Sequence, residues 1–324
     1  MLVVMNSDDK HEDRSFLAAR QPFDFTRSLA FLGAFAPMAG EQRLGAGSLT
    51  KALREAGVGA TVAFTVRAAP GGVTCQLHAA PGTTLTLTPE QRARVLDRVR
   101  FFLSLDDDLG PLYARAVGDA AFAPVLRALY GFHQVKLTTP FENACWAVLG
   151  QRCPIPVARR LKDRLTAAYG GALLVQGQTR RAFPCAEDLA EVDVATLTGL
   201  LGHHLKAQRI AAVTRAFAGV DEAFLRHGAF DEVERWLRDI DGIGPWSAAF
   251  VMLRGLGRME HIASAEAQLL PHLEARYGAL TRPQLRALEQ RYGDQRGYWV
   301  LYVRAAEAMA GTGAAGPVAS MAEA

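Results

Sequence analysis

Residues 241–246 are DGIGPW, set between DEVERWLRDI (231–240) and WSAAFVMLRGLG (246–257), both patterned as helices. Gly242 and Gly244 remove two Cβ atoms and permit positive φ, and Pro245 stands where a helix tolerates proline, at its first position. A turn made mainly of backbone offers N–H groups, and at a helix start those groups form an anion site. The stretch therefore predicts a helix-hairpin-helix unit whose amides around Ile243 approach a phosphate oxygen. The same turn, near Gly242 and Gly244, is suited to a monovalent cation held by backbone that bridges to a phosphate. A plain helix connection with a glycine cap would have the same spelling.

Outward from this turn the pattern is almost wholly helical from Phe141 onward, with Gly170, Gly242, Gly257, Gly278 and Gly293 where helices would stop. Earlier residues differ. TVAFTVRA (61–68) and VTCQLHAA (73–80) alternate around a Pro-Gly-Gly turn and predict a hairpin. TLTLT (84–88) predicts a strand, followed at Pro89 by an amphipathic helix. The expected class is α+β: a polar leader (1–14), a mixed β/α domain (15–133), an all-α helix-hairpin-helix bundle (134–310) and a disordered tail of small residues (311–324). Two or three cores are expected from 324 residues.

The charge balance is mild, 36 Lys+Arg against 33 Asp+Glu, so any nucleic-acid footprint must be one local face. Cys75, Cys145, Cys153 and Cys185 form no CxxC pair and are expected to be reduced thiols of a cytoplasmic protein. The apolar start of MLVVMNSDDKHEDRSF (1–16) is too short for a signal peptide, and no window approaches the ~20 apolar residues of a membrane span. The pair His203 and His204 lacks the further ligands a side-chain metal site needs. The sequence calls for no cofactor.

LRDIDGIGPWSAAFVMLRGLG (237–257) resembles the helix-hairpin-helix of the base-excision DNA glycosylase superfamily, and within it the bacterial 3-methyladenine-DNA glycosylase II family. PFENACWAVLGQRCPIPVARRLKDRLTAAYG (140–170) is similar to that family's segment bearing the DNA wedge, FPCAEDLAEVDVATLTGLLGHHLKAQRIAAV (183–213) to the stretch after it, and PFDFTRSLAFLGAF (22–35) to the start of its first domain. The resemblance covers residues 15–306. It implies a monomeric enzyme in the cytoplasm, associated with the nucleoid, that flips damaged bases out of double-stranded DNA and releases them.

The same resemblance places the family's catalytic aspartate on Glu266 in HIASAEAQLL (261–270), with Ala263 in place of the usual proline. Such a carboxylate stabilises positive charge on the sugar as the N-glycosidic bond breaks. Trp246 and Phe250 correspond to aromatic pocket residues, and Tyr298, Trp299 and Tyr302 are further candidates; an aromatic stripe at helical spacing is equally a core stripe. The family's late pocket tryptophan falls on Arg304, which makes the pocket more polar. Gln151 and Arg152 stand at the wedge, Arg152 filling the gap left by a flipped base or contacting a phosphate. His203 and Lys206 follow a glycine turn and are expected to meet phosphates, or to form a solvated turn. Relatives that also cut the strand carry a lysine where Trp246 stands, so base release without strand cleavage is implied. The divergence at Ala263, Glu266 and Arg304 also suits a protein that binds lesions without cutting; a helical protein with no nucleic-acid role would leave the hairpin and LGQR unexplained.

Overall fold

The computed structural model describes residues 14–38, 40–79, 85–261 and 266–311, and all their side chains but those of 36, 266–269, 310 and 311. The expected leader and tail thus lie almost entirely outside the described residues. Five strands, β1 (Arg14–Ala18), β2 (Arg43–Gly45), β3 (Ser48–Arg54), β4 (Thr61–Ala69) and β5 (Gly72–His78), form one antiparallel sheet in the order β1-β5-β4-β3-β2. The expected hairpin is β4–β5, with Phe64 opposite Leu77 and Val66 opposite Cys75.

Helix α1 (Phe25–Ala34) is capped by Asp24, whose carboxylate accepts the Thr26 N–H at 2.9 Å. The expected strand at 84–88 is a correction. Residues 85–88 form no strand, because Thr88 caps α2 (Pro89–Phe102) through a reciprocal capping box with Gln91. Val95, Val99 and Phe102 of α2 are buried, and Phe102 meets Phe64 edge to face at 6.3 Å. Two short helices, α3 (Gly110–Ala116) and α4 (Ala123–Ala128), lead to residues 131–138, every one of them buried. The boundary expected at 133/134 falls inside this buried, irregular segment.

The helical part comprises α5 (Pro140–Leu149), α6 (Ile155–Tyr169), α7 (Ala186–Leu189), α8 (Val194–Leu201), α9 (His204–Gly219), α10 (Glu222–His227), α11 (Phe230–Arg238) and α12 (Pro245–Phe250). The last runs on into a π-helical stretch, Val251–Leu256, and α13 (Glu266–Tyr277), α14 (Arg282–Tyr292) and α15 (Arg296–Gly311) follow. One element escaped the helical pattern: β6 (Gly171–Val175) and β7 (Gln178–Ala182) form an antiparallel hairpin. It packs Val175 and Ala182 on Ala52 and Ala63, the face of the sheet opposite Phe64. β4 is therefore covered on both faces, which explains why Val62 to Val66 are all buried.

The two parts share one apolar cluster. Tyr302 of α15 packs on Phe122 and Phe132 at 6.3 and 5.8 Å, while Tyr277 and Tyr292 both donate to the Asp119 carboxylate, at 2.9 and 2.7 Å. Among the described residues no helix is long and apolar enough to cross a membrane. None of the four cysteines is paired.

Candidate functional site

DGIGPW forms the turn joining α11 to α12. Gly242 uses the conformation only glycine adopts readily, with φ +89°; a Cβ there would meet the Arg209 side chain at 2.5 Å. Gly244 is extended, with φ −79° and ψ 179°, and nothing lies within 4 Å of where its Cβ would be. It is the N-cap of α12 and brings no side-chain cap, so the first amides of α12 receive no bond from that position. Ile243 departs from expectation. Its side chain is buried and its N–H donates to the Ile240 carbonyl at 2.9 Å, so that amide is not available to an anion.

Gln151 stands behind the turn. Its amide nitrogen donates to the Gly242 carbonyl at 2.7 Å and to Ser247 Oγ at 3.3 Å, while its oxygen accepts from Arg209 at 2.6 Å. The side chain thus clasps the hairpin rather than pointing outward. Arg209, which the sequence did not single out, fixes Gln151 and fills the space that Gly242 leaves.

The turn after α5 places Arg152 in the left-handed region, with φ +52°, exposed at its tip. A non-glycine residue held there stores strain that the surroundings must support. The support comes from Lys206, whose ammonium donates to the carbonyls of Val148 (3.3 Å), Leu149 (2.7 Å) and Gln151 (2.8 Å). Lys206 is buried, and burial lowers its pKa. A phosphate contact was expected of it; in the structure its ammonium is spent on the last carbonyls of α5 and on that of Gln151 in the turn that follows. His203 is exposed and caps α9, its Nδ1 accepting the Lys206 N–H at 3.4 Å, and His204 Nδ1 lies 3.2 Å from Thr198 Oγ1.

Trp246 and Phe250 stack at 5.4 Å with their planes 11° apart, Phe250 buried and Trp246 half-buried. Tyr298, Trp299 and Tyr302, candidates for the pocket or for a core stripe, are buried. Trp299 lies flat on Tyr292 at 4.9 Å and donates to Tyr277 at 2.8 Å; Tyr302 donates to the Phe132 carbonyl at 2.9 Å; Tyr298 donates to Asp107. Burial raises the pKa of Tyr298 and Tyr302, so both stay neutral donors.

Arg304 is half-buried on α15, and burial lowers its pKa while Glu307 opposes the shift. Arg254, within the π-helical stretch, is buried, and burial with the neighbouring Arg304 charge brings it down to about 9. In the sequence Arg254 shows only as a lone charge inside FVMLRGL. Glu266 opens α13, but its side chain, like the whole of Ala263, lies outside the described residues. Among the described residues no three His, Cys, Asp or Glu are grouped to hold a metal ion.

No protein-family model matches the chain. In sequence it is 29% identical over 168 residues to a DNA-3-methyladenine glycosylase of Bacillus subtilis, 51% of this chain and 55% of that protein. It is 25% identical over 166 residues to DNA-3-methyladenine glycosylase 2 of Escherichia coli, 50% and 56% of the two. The chain spans about half the length of the curated relatives it matches. Among solved structures, the 3-methyladenine DNA glycosylase of Archaeoglobus fulgidus superposes with a TM-score of 0.69 at 18% identity, covering 90% of this chain and 96% of that one. The 8-oxoguanine glycosylase/lyase of Clostridium acetobutylicum in its apo form gives 0.64 at 15% identity, covering 91% and 96%.

Proposed function

Because the chain has the fold of the helix-hairpin-helix DNA glycosylases and resembles the DNA-3-methyladenine glycosylases in sequence, we propose that it is a DNA glycosylase acting alone on damaged bases of duplex DNA in the cytoplasm, at the nucleoid. The observation that carries this reading is the hairpin. Gly244 leaves open space at an uncapped helix start, and Gln151 ties that start to the turn bearing Arg152, so a phosphate site and a wedge are held in fixed relation. A duplex strand seated on the amides from Gly244 onward would present Arg152 to the base stack, where its guanidinium plane fills the gap of a flipped nucleotide.

Trp246 and Phe250 then offer a stacking surface to the extruded base. Glu266 is the carboxylate that stabilises charge on the sugar and orients water; its extra methylene relative to aspartate sets its reach. Trp246 replaces the amine that a strand-cutting relative would use, so the product is a free base and an intact abasic strand. A monovalent cation on the turn's backbone belongs to the same proposal. Of the carbonyls there, those of Ile240 and Gly242 already accept one protein hydrogen bond each, and each keeps a second lone pair.

Incubation with methylated duplex DNA tests this directly. Free base in the supernatant, with no nick until the abasic site is cleaved by alkali, is the expected result; nicking without alkali would remove the monofunctional assignment. One observation favours a second reading, a lesion-binding protein that leaves the glycosidic bond intact: Tyr298, Trp299 and Tyr302 are committed to the core, so fewer aromatics face a base than the sequence suggested. That protein would retain lesion-selective binding and release nothing.

A further inference from the structure

Between the β6–β7 hairpin and α6 lies a cleft of about 480 Å³, within the size range of small-ligand sites. Helix α6 lines it with Arg159, Asp163 and Ala167, whose four-residue spacing sets them on one face; Ala167 fills little of the space. From the hairpin come Arg181 of β7 and Phe183, just beyond the strand. Glu41 also lines the cleft, but its charge is already matched by Lys51, at 2.7 Å, and by Lys162. Phe183 is half-buried. Its ring packs on Phe141 at 6.0 Å, and the Lys162 ammonium lies 5.8 Å from its centroid, so the ring is held in place while part of its surface meets the cleft.

Asp163 and Arg181 are exposed, and among the described residues neither side chain has a hydrogen-bond or ion-pair partner. A carboxylate and a guanidinium that line one cleft without pairing are matched by a ligand that brings an anion to one and hydrogen-bond donors to the other. Arg159 adds a second guanidinium from the helix wall, which suits a doubly charged phosphate better than a single carboxylate, and the planar fork of arginine fits phosphate oxygens two at a time. An ionised carboxylate only accepts, and it takes two donors at once, as the vicinal hydroxyls of a ribose offer. A phenyl ring supplies a stacking surface for a planar base. We propose that this cleft binds a ribonucleoside monophosphate, with Arg159 and Arg181 on the phosphate, Asp163 on the ribose hydroxyls and Phe183 against the base. The site shares no residue with the hairpin or the wedge and does not rest on the glycosylase reading.

Calorimetric titration of the full chain with adenosine monophosphate, its 2′-deoxy analogue, adenosine and inorganic phosphate tests this. Adenosine monophosphate is expected to bind saturably; the deoxy analogue, which lacks one hydrogen bond to a charged acceptor, and adenosine, which lacks the phosphate, should each bind about tenfold more weakly or worse. Asp163→Ala should erase the difference between the nucleotide and its deoxy analogue. Arg181→Gln should weaken the nucleotide and leave adenosine unchanged. Both positions are exposed, so neither variant should move the melting temperature. Gly244→Ala, which obstructs the hairpin, should bind the nucleotide as the parent does. Absence of saturable binding, equal affinity for the nucleotide and its deoxy analogue, inorganic phosphate binding as tightly as the nucleotide, or nucleotide affinity that survives Arg181→Gln would overturn the proposal. Loss of nucleotide binding in Gly244→Ala would do the same, by moving the ligand to the hairpin.

Discussion

Gly242 and Gly244 are two residues apart and do opposite things. Gly242 occupies positive φ against the Arg209 side chain, so Gly242→Ala should cost about 1–2 kcal/mol for the left-handed backbone and displace Arg209 from Gln151, lowering the melting temperature. Gly244 has ordinary dihedrals and open space, so Gly244→Ala should leave the melting temperature within error and weaken duplex binding by filling the approach to the helix start. Equal loss of stability in both variants would show that the turn is structural throughout. At this scale the sequence revealed residue type well and partner poorly. Two glycines before a proline announce a turn, but nothing in the spacing says that Gln151 reaches across to Gly242, or that Lys206 turns inward, since both contacts join segments far apart in the chain.

Among the elements, the turn after α5 that holds a strained arginine is braced by a buried ammonium from α9. Lys206→Met keeps the stem's volume and removes a donor shared by three carbonyls, so it should cost about 1–3 kcal/mol and weaken duplex binding by loosening Arg152. Arg152→Ala should leave stability unchanged and, where its guanidinium meets a phosphate, reduce the slope of log Kd against log salt by about 0.9. Salt titrations of the two variants distinguish support from contact. Helices announced themselves through apolar periodicity and caps, as at Thr88 and Pro89. The β6–β7 hairpin did not, because GALLV is a short apolar run and QTRRA a polar one, neither with an apolar alternation of its own, and they gain their place by packing on Ala52 and Ala63.

Across the whole molecule, a buried ion network joins the sheet to the helices that carry the wedge. Lys162 of α6 pairs with Glu142 of α5 at 2.7 Å and with Glu41, which also pairs with Lys51 of β3 at 2.7 Å. Burial disfavours the Glu41 charge, but the two ammonium groups outweigh it and hold its pKa at about 2, below the ordinary 4.5. A depressed carboxyl contributes stability that is complete above its unfolded value and lost as pH falls toward the folded one. Burial disfavours the Lys162 charge, but Glu142 and Glu41 outweigh it and raise it above its ordinary 10.5, so it contributes stability that is complete below 10.5 and lost at more alkaline pH. Denaturant midpoints should therefore stay level from neutrality to about 4.5 and fall from there toward 2. Glu41→Gln should lower stability at neutral pH by about 3–5 kcal/mol, by leaving buried ammonium charge uncompensated, and flatten that acid slope. None of this network was visible in the sequence, where a mild net charge concealed where the charges sit; the order of sheet then helices was.

The most direct measurement is release of free base from duplexes containing damaged bases, comparing the parent chain with Glu266→Gln and Glu266→Asp at matched folding. The account predicts release by the parent, loss of it in Glu266→Gln, and retention in Glu266→Asp. A parent chain that binds damaged duplex and releases nothing, with Glu266→Asp equally silent, would contradict it.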